Sequence, residues 1–193
     1  FIGNHSTGKM GFEIAKAAAR MGAEVVLISG PTQQNLSHPA VTLIRVTGAD
    51  QMYDAAHQHF PEVDIAILSS AVSDYKPKTV IDQKIKKKDQ NLQIELVPTP
   101  DILASLGKIK KHQFLVGFAL ETNDELENAK GKLERKNLDL IVLNSLNDTG
   151  AGFGTPTNKI TLIDKALKIK PFDLKSKAEV AVDILNEVIE KLS

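Results

Sequence analysis

The chain has 193 residues, 42% apolar and 25% charged, with 24 Lys and Arg set against 24 Asp and Glu. That length suits one domain able to bury roughly 70% of its unfolded surface, and a formal net charge of zero argues against a protein whose main work is neutralising nucleic-acid phosphates or an anionic membrane. With no cysteine there is no disulfide framework, thiolate zinc site or cysteine nucleophile, which fits a reducing cytoplasm; no apolar run approaches the roughly 18 to 20 residues of a spanning helix, so a soluble, cytoplasmic protein is expected.

The chain opens on Phe1-Ile2-Gly3-Asn4, without methionine and inside a loop, and a strand is expected to precede it. Met10, Ile14, Ala17, Ala18 and Met21 recur at helical spacing and predict a helix over 8–21, closed by Gly22. Residues 24–29 read as a buried strand broken by Gly30-Pro31, 41–46 as a second strand, and 49–60 as a helix begun near Thr47. Residues 64–68 form the continuous apolar run of a parallel-sheet interior, followed by loop to Pro77. After the Lys-rich segment 84–88, the alternation over 92–97 predicts a half-buried strand, and Pro100-Asp101 opens a short helix to about Leu106.

Strand 114–120, helix 123–136 and strand 139–144 come next, then a Gly-, Asn- and Thr-rich loop over 147–158 and two short strands, 159–163 and 167–169, that can pair. Ser176 with Glu179 three residues on is a capping box, and Val180, Ile184, Leu185, Val188 and Leu192 stripe a closing helix. This alternation predicts one α/β domain over 1–193. It would be Rossmann-like, a mostly parallel sheet with helices on both faces and a small β extension near the C-terminus, with ligands beyond the carboxyl ends of the strands.

Gly3-Asn4-His5-Ser6-Thr7-Gly8-Lys9-Met10 fits a phosphate-cradling P-loop up to the lysine and then fails, because Met10 stands where a serine or threonine would hold Mg²⁺. A small polar loop feeding a helix N-terminus still offers free amides to an anion, so His5, Ser6, Thr7 and Gly8 form a candidate anion-binding loop. The bland reading is that Ser6 or Thr7 caps the helix and His5 is a surface histidine. Asn4 offers an acceptor and a donor without charge, or else forms a turn. Ser69, Ser70 and Asp74 follow the apolar run 64–68 and fall at the ligand-bearing edge, where Asp74 either meets a ligand or caps a turn. Lys84-Ile85-Lys86-Lys87-Lys88 is either a solvated face or a mobile cationic loop that closes on polyphosphate; no aromatic platform accompanies it, which counts against nucleic acid. Lys132 and Lys136, four apart, share a helix face.

These residues in this order resemble the phosphopantothenoylcysteine synthetase family, the phosphopantothenate-cysteine ligases. The resemblance is carried by Phe1 through Gly11, by Gly22 through Pro31, by Ala71-Val72-Ser73-Asp74-Tyr75, Lys84-Ile85-Lys86-Lys87 and Pro100-Asp101-Ile102, and by Val116-Gly117-Phe118-Ala119, Glu121-Thr122-Asn123 and Lys136-Asn137-Leu138-Asp139. It implies that the carboxylate of 4'-phosphopantothenate attacks CTP, releasing pyrophosphate, and that the amine of L-cysteine then displaces CMP from the acyl-cytidylate. It further implies that Asn4 turns over that intermediate and Lys84 helps form it. Ser69, Ser70, Asp74, Lys84, Pro100, Asp101, Ile102, Leu103 and Phe118 would bind the cytidine nucleotide, with Lys132 and Lys136 at its phosphates. Mg²⁺ would accompany CTP, although no protein ligand for it is indicated; a homodimer is implied, no flavin is expected in this chain, and a phosphopantothenoylcysteine decarboxylase is expected fused to it or associated with it.

Relatives carry a further strand and loop ahead of this start, and alanine and serine where Ser70 and Thr7 stand here. Two other readings remain: a nicotinamide-dependent oxidoreductase, disfavoured by the lack of G-x-G-x-x-G after a strand, and a nucleotide-binding module without turnover.

Overall fold

Helix α1 (Lys9–Arg20) begins at Gly8, with φ of 75°, and is closed by Gly22 at φ of 93°. Glycine adopts such angles without a Cβ clash, which is why the sequence places the helix ends there. Strands β1 (Val25–Ser29) and β2 (Val41–Arg45) pair in parallel, and helix α2 (Ala49–His59) runs into a single 3₁₀ turn over Phe60–Glu62. Strand β3 (Ile65–Leu68) follows, then β4 (Tyr75–Pro77), β5 (Leu96–Pro98), α3 (Ile102–Ile109), β6 (Phe114–Glu121), α4 (Glu125–Arg135) and β7 (Leu140–Ser145). The C-terminal part contains β8 (Thr157–Asn158), β9 (Ile160–Asp164), β10 (Ile169–Pro171), β11 (Lys175–Ser176) and α5 (Lys177–Leu192). This computed structural model describes residues 6–80, 83, 86, 92–121, 123–145 and 154–192.

The central sheet has the order β10-β9-β7-β6-β3, with β3, β6 and β7 mutually parallel and β9 and β10 added antiparallel. Alternation along its strands sorts side chains to two cores. Val116, Leu140, Val142, Ile160 and Leu162 meet Ile14 and Ala17 of α1 and Val180, Ile184 and Val188 of α5. Leu115, Ile141, Leu143 and Ile163 meet Ile102 and Leu106 of α3 and Ala129 and Leu133 of α4. The predicted two-faced α/β domain with its C-terminal β extension is therefore what forms. Ser176 and Glu179 close the capping box reciprocally, the Glu179 amide reaching the Ser176 hydroxyl at 3.3 Å and the Ser176 amide reaching the Glu179 carboxylate at 3.0 Å.

Several expectations change. Helix α1 buries Phe12, Ala15 and Ala19 as well as Ile14 and Ala17, and Met21 is exposed, because the helix packs against both α5 and β1. Leu192, the last residue of α5, is exposed. The alternating stretch 92–97 supplies only β5, and Leu92, Ile94 and Leu96 are exposed, since its partner is β4 alone, not the sheet. β4 itself lies in the stretch read as loop. Among the described residues β1 and β3 each keep one edge unpaired, and both border one cleft of about 1890 Å³.

Candidate functional site

The parallel strands β3, β6 and β7 deliver their carboxyl ends to one side of the sheet, where ligands of such folds sit. There the segment Ser6 to Met10, the residues Ser69 to Ala71 after β3, and Phe118 to Leu120 of β6 line a pocket of about 160 Å³. Asn144 of β7, Gly154, Asn158 and Lys177 complete it. The loop before α1 is held by Thr32, whose hydroxyl donates to the Thr7 carbonyl at 2.6 Å, and a Cβ on Gly8 would come within 3.3 Å of that same hydroxyl. Gly11 lets α1 lie against β3, since a Cβ there would meet the Ser69 hydroxyl at 3.0 Å. Close approach thus favours glycine at both points, and at Gly8 the positive φ does so as well.

The pocket opens into the larger cleft, which is lined by Ser6, Gly8, Ser69, Ser70, Asp74, Pro100, Asp101, Ile102, Leu103, Phe118 and Lys136. Two loops are stitched together at its wall: the Thr99 hydroxyl donates to the Ser73 carbonyl at 2.5 Å and the Thr99 amide to the Asp74 carbonyl at 2.9 Å. Asp74 is exposed there, Phe118 is half-buried, and Ile102 is turned into the core. Leu103 seats against β6 because Gly117 has no side chain; a Cβ there would stand 2.7 Å from Leu103 Cδ2 and 2.8 Å from Leu138 Cδ1. The sequence-predicted residues Ser6, Gly8, Ser69, Ser70, Asp74, Phe118, Lys136 and those of segment 100–103 are therefore brought to one cleft, and Thr7 to its inner pocket. Asn4, His5 and Lys84 lie outside the described residues.

The charged members are engaged with one another. Asp101 caps α3, accepting from the Ala104 amide at 3.0 Å, and its carboxylate pairs with the Lys136 ammonium at 2.9 Å. Lys132, which does not border the cleft, pairs with Glu121 at 2.6 Å. The two lysines thus use their shared helix face to bind carboxylates from α3 and β6. Lys136 belongs to a bracket in which the Asn137 amide group donates to the Gly107 carbonyl at 3.0 Å and Asp139 accepts from the Leu115 amide and from Lys110, each at 2.8 Å.

Burial alone would raise the Asp101 carboxyl; the Ala104 amide and then Lys136 more than offset it and hold its pKa below the usual value. A depressed carboxylate contributes stability that is complete above its unfolded pKa and is lost as pH falls through its folded pKa. Melting temperatures of wild type and Asp101→Asn, measured from neutral pH down through the carboxylate range, are expected to converge on the acid side. A constant gap across that range would remove the ion pair from the account.

Sequence reasoning missed Asn144, Asn158 and Lys177. Asn158 is 2% exposed and donates from Nδ2 to Asn144 Oδ1 at 3.1 Å, joining β8 to β7 at the pocket floor. The only signal for Lys177 was a lysine inside a capping box, a place where a cation is unfavourable.

No helix among the described residues is long and apolar enough to cross a membrane. The family model of the DNA/pantothenate metabolism flavoprotein C-terminal domain matches residues 1–192. A cysteine/cysteine sulfinic acid decarboxylase from an unknown prokaryotic organism is 54% identical over 98% of this chain and 53% of its own length. The coenzyme A biosynthesis bifunctional protein CoaBC of Bacillus subtilis is 45% identical over 97% of this chain and 46% of its own. The chain thus spans about half the length of these relatives. The crystal structure of the C-terminal domain of a CoaBC superposes with a TM-score of 0.81 at 40% identity, covering 97% of this chain and 84% of that one. With the match running almost from end to end, the chain belongs to the family of DNA/pantothenate metabolism flavoprotein C-terminal domains.

Proposed function

We propose that this chain is a phosphopantothenate-cysteine ligase of coenzyme A biosynthesis, joining 4'-phosphopantothenate to L-cysteine through an acyl-cytidylate. The observation that carries the reading is the 40% identity to the C-terminal domain of a CoaBC, spread over 84% of that chain. The cleft supports it chemically. A carboxylate is a poor acyl donor until one of its oxygens leaves as a phosphate ester, and reaching that state brings an anion against an anionic triphosphate. The backbone amides at the α1 N-terminus and the ammonium groups of lysines are what that charge needs.

In this proposal the carboxylate oxygen attacks the α-phosphorus of CTP and pyrophosphate leaves, with Lys84 stabilising the developing charge. The cysteine amine then attacks the acyl carbon, CMP leaves with the bonding pair, and Asn4 holds the reacting acyl group. Ser69, Ser70, Asp74, Pro100, Asp101, Ile102, Leu103 and Phe118 bind the cytidine nucleotide. Lys136 and Lys132 act at its phosphates only by exchanging Asp101 and Glu121 for phosphate oxygens. Mg²⁺ accompanies CTP as the counter-ion of its phosphates. The decarboxylase activity named for the 54% identical relative, of which the chain covers 53%, is assigned to another part of such proteins, fused or associated. The protein works as a homodimer in the cytoplasm.

The deciding experiment measures pyrophosphate release by the intact protein. It is expected only when CTP and 4'-phosphopantothenate are both present; release indifferent to phosphopantothenate overturns the reading.

A further inference from the structure

Residues 98–100 read Pro-Thr-Pro, so Thr99 carries the single backbone amide hydrogen of that stretch. Pro100 keeps the Thr99 backbone extended, and the β-branch of Thr99 leaves its χ1 little freedom, which together aim the hydroxyl in a fixed direction. The amide continues the β4–β5 ribbon by one step, donating to the Asp74 carbonyl at 2.9 Å, and the hydroxyl reaches one residue further, to the Ser73 carbonyl at 2.5 Å. One residue thus ties the loop 69–74, at the carboxyl end of β3, to the segment 100–103 that starts α3. Both segments border the cleft, as does Thr99, which is itself half-buried.

The two walls are not equally free to move. The start of α3 is held by Leu103, seated over Gly117, and by Asp101, paired with Lys136 at 2.9 Å. The loop 69–74 is held by Thr99 and by weaker contacts such as that of the Ser70 hydroxyl with the Met52 sulfur at 3.3 Å, a thioether being a poor acceptor. Widening the gap between the walls therefore breaks the Thr99 hydroxyl bond and strands the Ser73 carbonyl. We propose that Thr99 is a positioning residue whose hydroxyl sets the width of the gap that takes the nucleotide base, and so selects a single-ring pyrimidine over a two-ring purine. The inference rests on the ligase reading for where the base lies. Admitting the larger base costs the hydrogen bond, whereas a pyrimidine leaves it intact, and that difference is the discrimination.

Titration calorimetry of the intact protein with CTP and with ATP reads the discrimination. Wild type is expected to favour CTP. Thr99→Val keeps the shape and removes the hydroxyl, and is expected to lower the CTP-to-ATP affinity ratio about 3- to 10-fold, the worth of one neutral hydrogen bond. Thr99→Ser is expected to restore the ratio. In turnover the KM values for the two nucleotides converge in Thr99→Val while the KM for L-cysteine stays put. Equal affinities in wild type overturn the proposal, as does a Thr99→Val protein that keeps the ratio, whether its two affinities hold or fall together, or a Thr99→Ser protein that behaves like Thr99→Val. A ratio that falls in Thr99→Val although neither nucleotide supports pyrophosphate release with 4'-phosphopantothenate upholds the role of Thr99 and sinks the ligase reading instead. Should Thr99→Val fail to fold, Thr99→Ala carries the same expectation, and an unchanged ratio there is equally fatal.

Discussion

Replacing Gly107 with alanine is expected to lower the melting temperature by about 6–12 °C, corresponding to roughly 3 kcal/mol in a domain of this size. A Cβ at this position in α3 would stand 2.0 Å from the carbonyl oxygen of Lys136 and 2.9 Å from its carbonyl carbon. Both are backbone atoms, so no rotamer change relieves the clash, and either α3 or the α4–β7 turn must move. That turn has little freedom. Asn137 holds a φ of 52° and its side chain donates to the Gly107 carbonyl itself, while Leu138 is 1% exposed and Asp139 is tied to the Leu115 amide at 2.8 Å. Displacing α3 would also part Asp101 from Lys136, so loss of the acid-side dependence described for that pair is expected along with the lower midpoint. Gly48→Ala provides the contrast, because its Cβ would meet nothing within 4 Å and its φ is an ordinary extended −140°; a cost of about 1 kcal/mol or less is expected there. Calorimetric melting of both variants checks the pair, and equal small shifts would mean that α3 slides freely over the turn.

Lys84→Ala is expected to slow acyl-cytidylate formation by about 10²–10³-fold, the usual worth of one preorganised charge contact made in a transition state, roughly 3–4 kcal/mol. Asn4→Asp is expected to act later. It sets a carboxylate beside an already anionic intermediate, so the acyl-cytidylate should form and then persist when cysteine is added. Mass spectrometry of quenched mixtures separates the two: little intermediate with Lys84→Ala, accumulated intermediate with Asn4→Asp. A protein that only binds nucleotide would show neither species in any variant. Both residues enter through the family resemblance alone, and if the two variants behave identically their separate roles are lost.

Much of this organisation was written locally. Gly8 and Gly22 mark the ends of α1 because few other residues reach positive φ cheaply, and Ser176 with Glu179 starts α5 because a hydroxyl and a carboxylate three apart satisfy the first amides of a helix. Apolar runs at 114–120 and 139–144 could only be interior strands, and they became β6 and β7. The alternation over 92–97 misled because periodicity reports which residues would share a face, not whether any core lies opposite; the segment found only β4 as its neighbour. Likewise Lys132 and Lys136 were legible as one helix face, but not their partners Glu121 and Asp101, which come from β6 and the start of α3.

The amino-acid order thus determined the alternating α/β elements and the small polar loop at the start of α1, since each rests on spacing within a few turns of chain, while the resemblance to a ligase family rests on motifs in order from Phe1 to Asp139. Only the tertiary structure decided that Lys177 lies buried beside Lys9, that Asn158 reaches Asn144, and that β1 and β3 border one cleft. Burial and charge repulsion act through space, and residues 168 positions apart in the chain, such as Lys9 and Lys177, acquire an interaction energy only once the fold has removed the water between them.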